Sequence, residues 1–253
     1  MRVRVKSLHY DVSFPDDTKI VAEAAPTLMV ELPGFECELG HEELLVRPLA
    51  AYGDEASAVA ALWPLLDAWQ ATTELEHGYP LAFKFVRSQL EELEPSPNAT
   101  VVFAGVAEIG VVAEGVRVTQ LRKEFPGPAP EVTRVGDLTL NLMQRLRRMK
   151  NGEELVTGGA YYILTTLEGH LGGKPGIACT LNTTVGLLDK LGKLASTEDP
   201  VYGRKGGGRT GNITSDDLRW LQAACRSLTA RLLRHEAGAS IPERLQADDV
   251  GAP

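Results

Sequence analysis

Nine consecutive residues, Gly203-Arg204-Lys205-Gly206-Gly207-Gly208-Arg209-Thr210-Gly211, combine the two ingredients of an anion site. Glycines let the backbone approach a phosphate closely, and three cations fall within six residues. The stretch runs into what its pattern predicts to be the last long helix, whose positive end would favour negative charge. Two phosphate-loop patterns fit on paper. Gly203, Gly208 and Arg209-Thr210 match GxxxxGKT with arginine in the lysine place, and Gly206, Gly208 and Gly211 match GxGxxG. Context excludes both, because such loops leave a buried strand and open directly into a helix, whereas Asp199-Pro200-Val201-Tyr202 precedes this one. What survives is contact through charge. Arg204, Lys205 and Arg209, joined by Lys190 and Lys193 on the preceding helix, are candidates to meet a nucleic-acid backbone, with Tyr202 available to stack on a base. The simpler alternative is a solvated connector between helices.

Catalytic patterns are sparse. Glu91, Glu92 and Glu94 crowd together before Pro95, and such carboxylates repel unless they hold a cation or share a proton; a solvated rim is the plainer reading. No GxSxG elbow occurs, and no cysteine has a histidine beside it. Arg231 and His235 share a helix face but lack an acceptor or metal ligand to complete ribonuclease chemistry. The five histidines, at 9, 41, 77, 170 and 235, show no HxH or HExxH spacing, and His41-Glu42-Glu43 lacks its second histidine one turn on. Cys37, Cys179 and Cys225 are odd in number and far apart, which suits reduced thiols. No catalytic residue, cofactor or metal is therefore expected from the sequence, and an enzyme would need a site that only the fold assembles.

Charge divides the chain. Residues 1–131 carry 10 Lys and Arg against 21 Asp and Glu, residues 132–235 carry 15 against 9, and the last 18 residues carry 1 against 4. An acidic front and a basic rear follow, and the rear is the part suited to RNA or DNA. Opposite charge also suits docking of the two parts on each other or on a protein partner. Arg2-Val3-Arg4-Val5-Lys6 leads into no apolar run of the secretory kind, so a cytoplasmic location is expected. Residues 100–113, the most apolar stretch, are broken by Glu108 and glycines and fall short of the ~20 residues a bilayer span needs. No membrane partner is expected.

The elements that must position these residues are read from period and breakers. Strands are predicted at Val3 to Tyr10, at Leu28 to Leu32 ending on Pro33-Gly34, at Leu44 to Val46 and at Ala82 to Arg87, with a hairpin over 100–107 and 110–119. One helix starts from Asp54 and buries Leu62, Leu65, Leu66 and Trp69, leaving Trp63 off the face; Pro64 predicts a kink or two short helices. Phe125-Pro126-Gly127-Pro128-Ala129-Pro130 marks a border. Beyond it four helices are predicted: one on Leu138, Leu142, Leu146 and Met149, with Arg145, Arg147, Arg148 and Lys150 turned away, and one on Tyr161, Leu164 and Glu168. The others follow Leu181, Val185, Leu188 and Leu191, and then Leu218, Leu221, Cys225, Leu228 and Leu232 after the cap Thr214-Ser215-Asp216-Asp217.

The runs Ala160 to Glu168, Leu188 to Ser196, Gly203-Arg204-Lys205 and Asp217 to Leu221, with Leu66-Asp67-Ala68-Trp69, resemble an uncharacterised bacterial protein family. The resemblance covers about half the chain. It carries no activity and implies a bacterial, cytosolic origin. The reading as a whole is an α+β protein: an acidic domain over 1–125 with a mainly antiparallel sheet and one helix, a basic helical bundle over 132–237, and a disordered tail over 238–253. Function is expected to be non-catalytic binding, most simply of a protein, with nucleic-acid binding by the helical domain as the alternative.

Overall fold

A computed structural model of the chain describes residues 3–14, 18–20, 27–40, 42–78, 80–92, 120–122, 126–198, 209–210 and 212–250. The chain is α+β and divides into two compact units, Met1–Pro128 and Ala129–Pro253. The division falls inside the proline-rich stretch.

In the first unit, strands β1 (Val3–Ser13), β3 (Leu28–Leu32), β4 (Phe35–Leu39), β5 (Glu43–Pro48) and β6 (Ala82–Glu92) form an antiparallel sheet in the order β3-β4-β5-β1-β6. Two short strands, β2 (Thr18–Ile20) and β7 (Gln120–Arg122), pair parallel as a separate ladder. Leu32 pairs with Phe35 across Pro33-Gly34, where Gly34 has a φ of 81°, a backbone state glycine adopts without steric cost. β4 is not among the strands predicted from the sequence, although Phe35, Cys37 and Leu39 alternate into the core. β1 departs from simple alternation. Val5 pairs with Leu90 and Ser7 with Gln89, so Lys6 is an extra residue, and this bulge brings Val5, Leu8, Tyr10 and Val12 onto one buried face. Ser7 and His9 then fall on the other face.

Helix α1 (Glu55–Thr72) covers the apolar face with Leu62, Leu65, Leu66 and Trp69, while Trp63 is 42% exposed as its spacing predicts. Asp54 caps it, accepting from Ser57 N and Ser57 Oγ at 2.8 Å. The expectation of two short helices is not met: the helix continues through Pro64 and adds a π turn over Thr73–His77 that Gly78 closes. Burial of α1 against the sheet outweighs the one hydrogen bond that proline removes. Trp69 Nε1 donates to the Pro126 carbonyl at 2.8 Å. The hairpin expected over 100–119 lies outside the described residues.

Among its described residues the second unit has five helices where four were expected: α2 (Asp137–Lys150), α3 (Val156–Leu171), α4 (Gly173–Thr180), α5 (Val185–Ala195) and α6 (Ser215–Ala237). The unforeseen one is α4. Gly172 and Gly173, both at positive φ, end α3 and turn the chain straight into it, where the sequence suggested only a stop. Leu142, Ile163, Leu167, Ile177, Leu188, Leu191, Leu221 and Leu228 fill the shared core. Val185, expected inside, begins α5 and is 40% exposed; Leu187 takes the inward place. One of the free N–H groups at the start of α2 is met by Glu236 from the end of α6, whose Oε2 accepts from Thr139 N and Thr139 Oγ1.

A disordered tail is not what the described part, 238–250, shows. Leu245 and Val250 are buried, Leu245 N donates to the Asn182 carbonyl at 3.0 Å, and Trp220 Nε1 donates to the Ala247 carbonyl at 3.0 Å. The polar composition conceals two apolar anchors, and the donors that hold the segment come from distant parts of the bundle. Among the described residues, no helix is long and apolar enough to cross a membrane.

Candidate functional site

The five cations singled out in the sequence are distributed around the connection between α5 and α6. Lys190 and Lys193 lie on α5, one turn apart and both exposed. Immediately after α5, β8 (Thr197–Glu198) pairs parallel with β9 (Arg209–Thr210), matching Thr197 with Arg209. Thr197 Oγ1 donates to the Lys193 carbonyl at 2.9 Å. The backbone of Arg209 is thereby fixed beside a residue one helical turn from Lys193. Arg204 and Lys205 lie outside the described residues.

Each local partner sets how much of this charge is available. Lys190 Nζ sits 4.2 Å from the centre of the Trp220 ring, a cation–π contact that anchors the side chain without neutralising it. The Lys193 ammonium has no ion-pair partner among the described residues. The α6 end is different. Thr214 Oγ1 accepts from Asp217 N, and Asp217 Oδ2 accepts from Thr214 N at 3.0 Å, a complete capping box. Asp217 Oδ2 also accepts from the Thr214 hydroxyl at 2.7 Å, and this bond, with the one from the Thr214 backbone, holds the carboxyl below its ordinary pKa. The helix end therefore meets its own donors, and an anion here would rely on the side-chain cations.

In the second basic cluster, on α2, Arg145 and Arg148 share one carboxylate. Arg145 Nη1 donates to both carboxylate oxygens of Glu154 at 2.9 Å and lies 4.0 Å over the Tyr162 ring. Arg148 Nε is 4.0 Å from the same carboxylate. Lys174 likewise pairs with Asp189 at 2.7 Å, and Arg219 with Asp216. Arg231 serves the fold: it is 8% exposed and donates to the carbonyls of Leu181, Asn182, Pro242 and Glu243. It does not form a site with His235. Glu91 pairs with Arg4 at 2.8 Å, which accounts for one member of the acidic run; Glu94 lies outside the described residues.

Comparison of the chain with protein-family models, with curated proteins and with solved structures returned no match. The arrangement of side chains carries the functional reading alone.

That arrangement includes one constellation the sequence reading missed. Ser7 Oγ is 3.1 Å from His9 Nε2, and His9 Nδ1 is 2.5 Å from Glu43 Oε1. His41-Glu42-Glu43 lacks zinc spacing and so draws no attention to Glu43, and the bulge at Lys6 hides which side of β1 Ser7 and His9 occupy. A signal existed in the Ser-x-His alternation of a strand, but its carboxylate comes from β5, 34 residues away. Burial pushes the Cys37 and Cys225 thiols up to about 12, which removes them as nucleophiles. Among the described residues, no group of three or more His, Cys, Asp and Glu is arranged to hold a metal ion.

Proposed function

We propose that the protein is a binding protein whose basic helical unit presents the α5–α6 end to a polyanion, with RNA or DNA as the partner. The observation that supports this most is the β8–β9 ladder. Its backbone register matches Arg209 with Thr197, whose hydroxyl donates to the Lys193 carbonyl, and this supports reading cations separated in sequence as belonging to one end of the unit. On α2, Arg145 and Arg148 share the Glu154 carboxylate, whereas Lys193 has no ion-pair partner among the described residues, which favours the α5–α6 end. Arg204 and Lys205, between the two short strands in sequence, add two charges to the same connection. Such contacts position a phosphate backbone and carry no base information, so binding is expected to be largely independent of sequence and strongly dependent on salt.

The test is equilibrium titration of fluorescently labelled RNA and DNA oligonucleotides with the intact protein, followed by anisotropy. The wild type binds at low salt, and the variant with Arg204, Lys205 and Arg209 all changed to alanine binds at least about tenfold more weakly. Absence of binding at low ionic strength, or equal affinity of the triple variant, contradicts the proposal and turns the search to protein partners.

A further inference from the structure

Ser7, His9 and Glu43 line up in the order that acyl-transfer chemistry uses. An ionised carboxylate only accepts hydrogen bonds, so the 2.5 Å contact to Glu43 Oε1 sets the His9 proton on Nδ1. Nε2 is then the acceptor for the Ser7 hydroxyl proton at 3.1 Å. The backbone explains how three residues converge. The bulge at Lys6 turns Ser7 and His9 to the sheet face opposite α1, and bulges are a recurrent means of re-aiming side chains beside active sites. On β5, Leu45 stands directly opposite His9, which makes Glu43 the diagonal neighbour, within reach of a long side chain.

The surroundings suit a reactive hydroxyl. Ser7 and His9 are 5% and 8% exposed, whereas the Glu43 side chain is 56% exposed, so the relay runs from a sheltered nucleophile to a solvated carboxylate. On β6, Gln89 stands opposite Ser7, Arg87 opposite His9 and Lys84 opposite Asp11, while Asp11 is also opposite Glu43 on β5. Arg87 and Gln89, both exposed, are the donors placed nearest in register to where negative charge would develop on an attacked carbonyl. Sheltering a hydroxyl and an imidazole costs desolvation unless they bond to each other, and these two do.

The geometry points to Ser7 as an acyl-accepting nucleophile toward carboxylic esters, with His9 as its general base and Glu43 as the positioning residue. Ser7 Oγ bonds to the ester carbonyl carbon as its proton passes to His9 Nε2. The carbon–oxygen bond to the alcohol breaks, and the departing alkoxide takes that proton. Water then attacks the acyl-serine, giving its proton through His9 to Ser7 Oγ and releasing the carboxylic acid. This activity is independent of the polyanion contact on the helical unit.

A fluorophosphonate probe tests it on the intact protein: the Ser7 Oγ–phosphorus bond forms, fluoride leaves, and His9 takes the hydroxyl proton. The expected result is one adduct, mapped to Ser7 by mass spectrometry and absent in Ser7→Ala. Labelling slows about 100-fold or more in His9→Gln, the scale of general-base catalysis. Glu43→Gln slows it about tenfold or more and Glu43→Asp restores part of the rate. Glu43 is at the surface, so its variants keep the fold, verified by circular dichroism. A folded wild type that takes no label at Ser7 overturns the inference, as does a labelling rate that Glu43→Gln and His9→Gln leave unchanged.

Discussion

Replacing Arg231 by methionine isolates what holds the chain's end on the helical bundle. The guanidinium donates from Nη1 to the carbonyls of Leu181 and Asn182 at 3.1 Å and of Pro242 at 3.3 Å, and from Nη2 to Glu243 at 2.6 Å. Two of these acceptors keep another donor. The Asn182 carbonyl still receives Leu245 N, and the Pro242 carbonyl still receives Asn182 Nδ2. The loss therefore falls on Leu181 and Glu243; Leu181 is buried, so its carbonyl left without a partner costs about 1–3 kcal/mol, whereas Glu243 is exposed and water replaces its lost donor. Opening of the segment after Gly238 lets water reach the Leu181 carbonyl too, so the global penalty cannot exceed the free energy that docks this segment. Hydrogen exchange reads the local part. A loss of about 2 kcal/mol speeds exchange of the Leu245 amide about 30-fold in Arg231→Met, because its bond to Asn182 breaks with each opening. Arg231→Lys is expected to restore little, since an ammonium cannot reach carbonyls from two segments in the fork geometry of a guanidinium. Unchanged protection of Leu245 in a folded Arg231→Met protein refutes the reasoning and assigns the docking to Leu245 and Val250 burial alone.

Three further outcomes follow from single features. Thr214→Ala removes the α6 capping box and lowers stability to urea by about 1–2 kcal/mol. Asp217 and Asp54 are held below their ordinary pKa by hydrogen bonds to Thr214 and Ser57, so their contributions are present above the unfolded value near 3.9 and are lost as pH falls through the lower folded values. In Thr214→Ala the hydroxyl bond to Asp217 is lost while the backbone N–H bond stays, so the Asp217 part of that acid-side decline shrinks, which denaturation midpoints at pH 5 and pH 2.5 measure. A thiol reagent titrates only Cys179 in the native protein and all three cysteines in urea, since Cys37 and Cys225 are buried; Cys179→Ser leaves no fast-reacting thiol. Gly176→Ala drives a methyl group into the Leu171 carbonyl, whose backbone cannot swing aside, and destabilises the α3–α4 corner, whereas Gly158→Ala meets no neighbour and is tolerated in thermal melts.

Local signals read well wherever one residue decided the structure. Asp54, Pro33-Gly34 and the Thr214 to Asp217 box specified their caps and turn, and the α1 and α6 faces followed from spacing. Features that depend on two distant segments were hidden. Parity along β1 could not be followed past Lys6, because a bulge is set by the partner strand; the Ser7–His9–Glu43 relay went unseen for the same reason. The two glycines after α3 read as an ending because positive φ both terminates one helix and turns the chain into the next. The 242–250 segment looked unstructured because its composition is polar and its partners, Arg231, Thr183 and Trp220, come from elsewhere. Of the five predicted contact residues, the structure brings Lys193 and the Arg209 backbone together and binds Lys190 to Trp220.

The salt dependence of RNA binding tests the central claim most directly. With anisotropy measured across a tenfold range of salt, the logarithm of the association constant should fall linearly for the wild type. Its slope should become shallower by about 2 in the variant with Arg204, Lys205 and Arg209 changed to alanine, at roughly 0.7 per phosphate contact on a single strand. An identical slope in both proteins, or no binding to either RNA or DNA at the lowest salt, contradicts the assignment of the α5–α6 end as a polyanion contact.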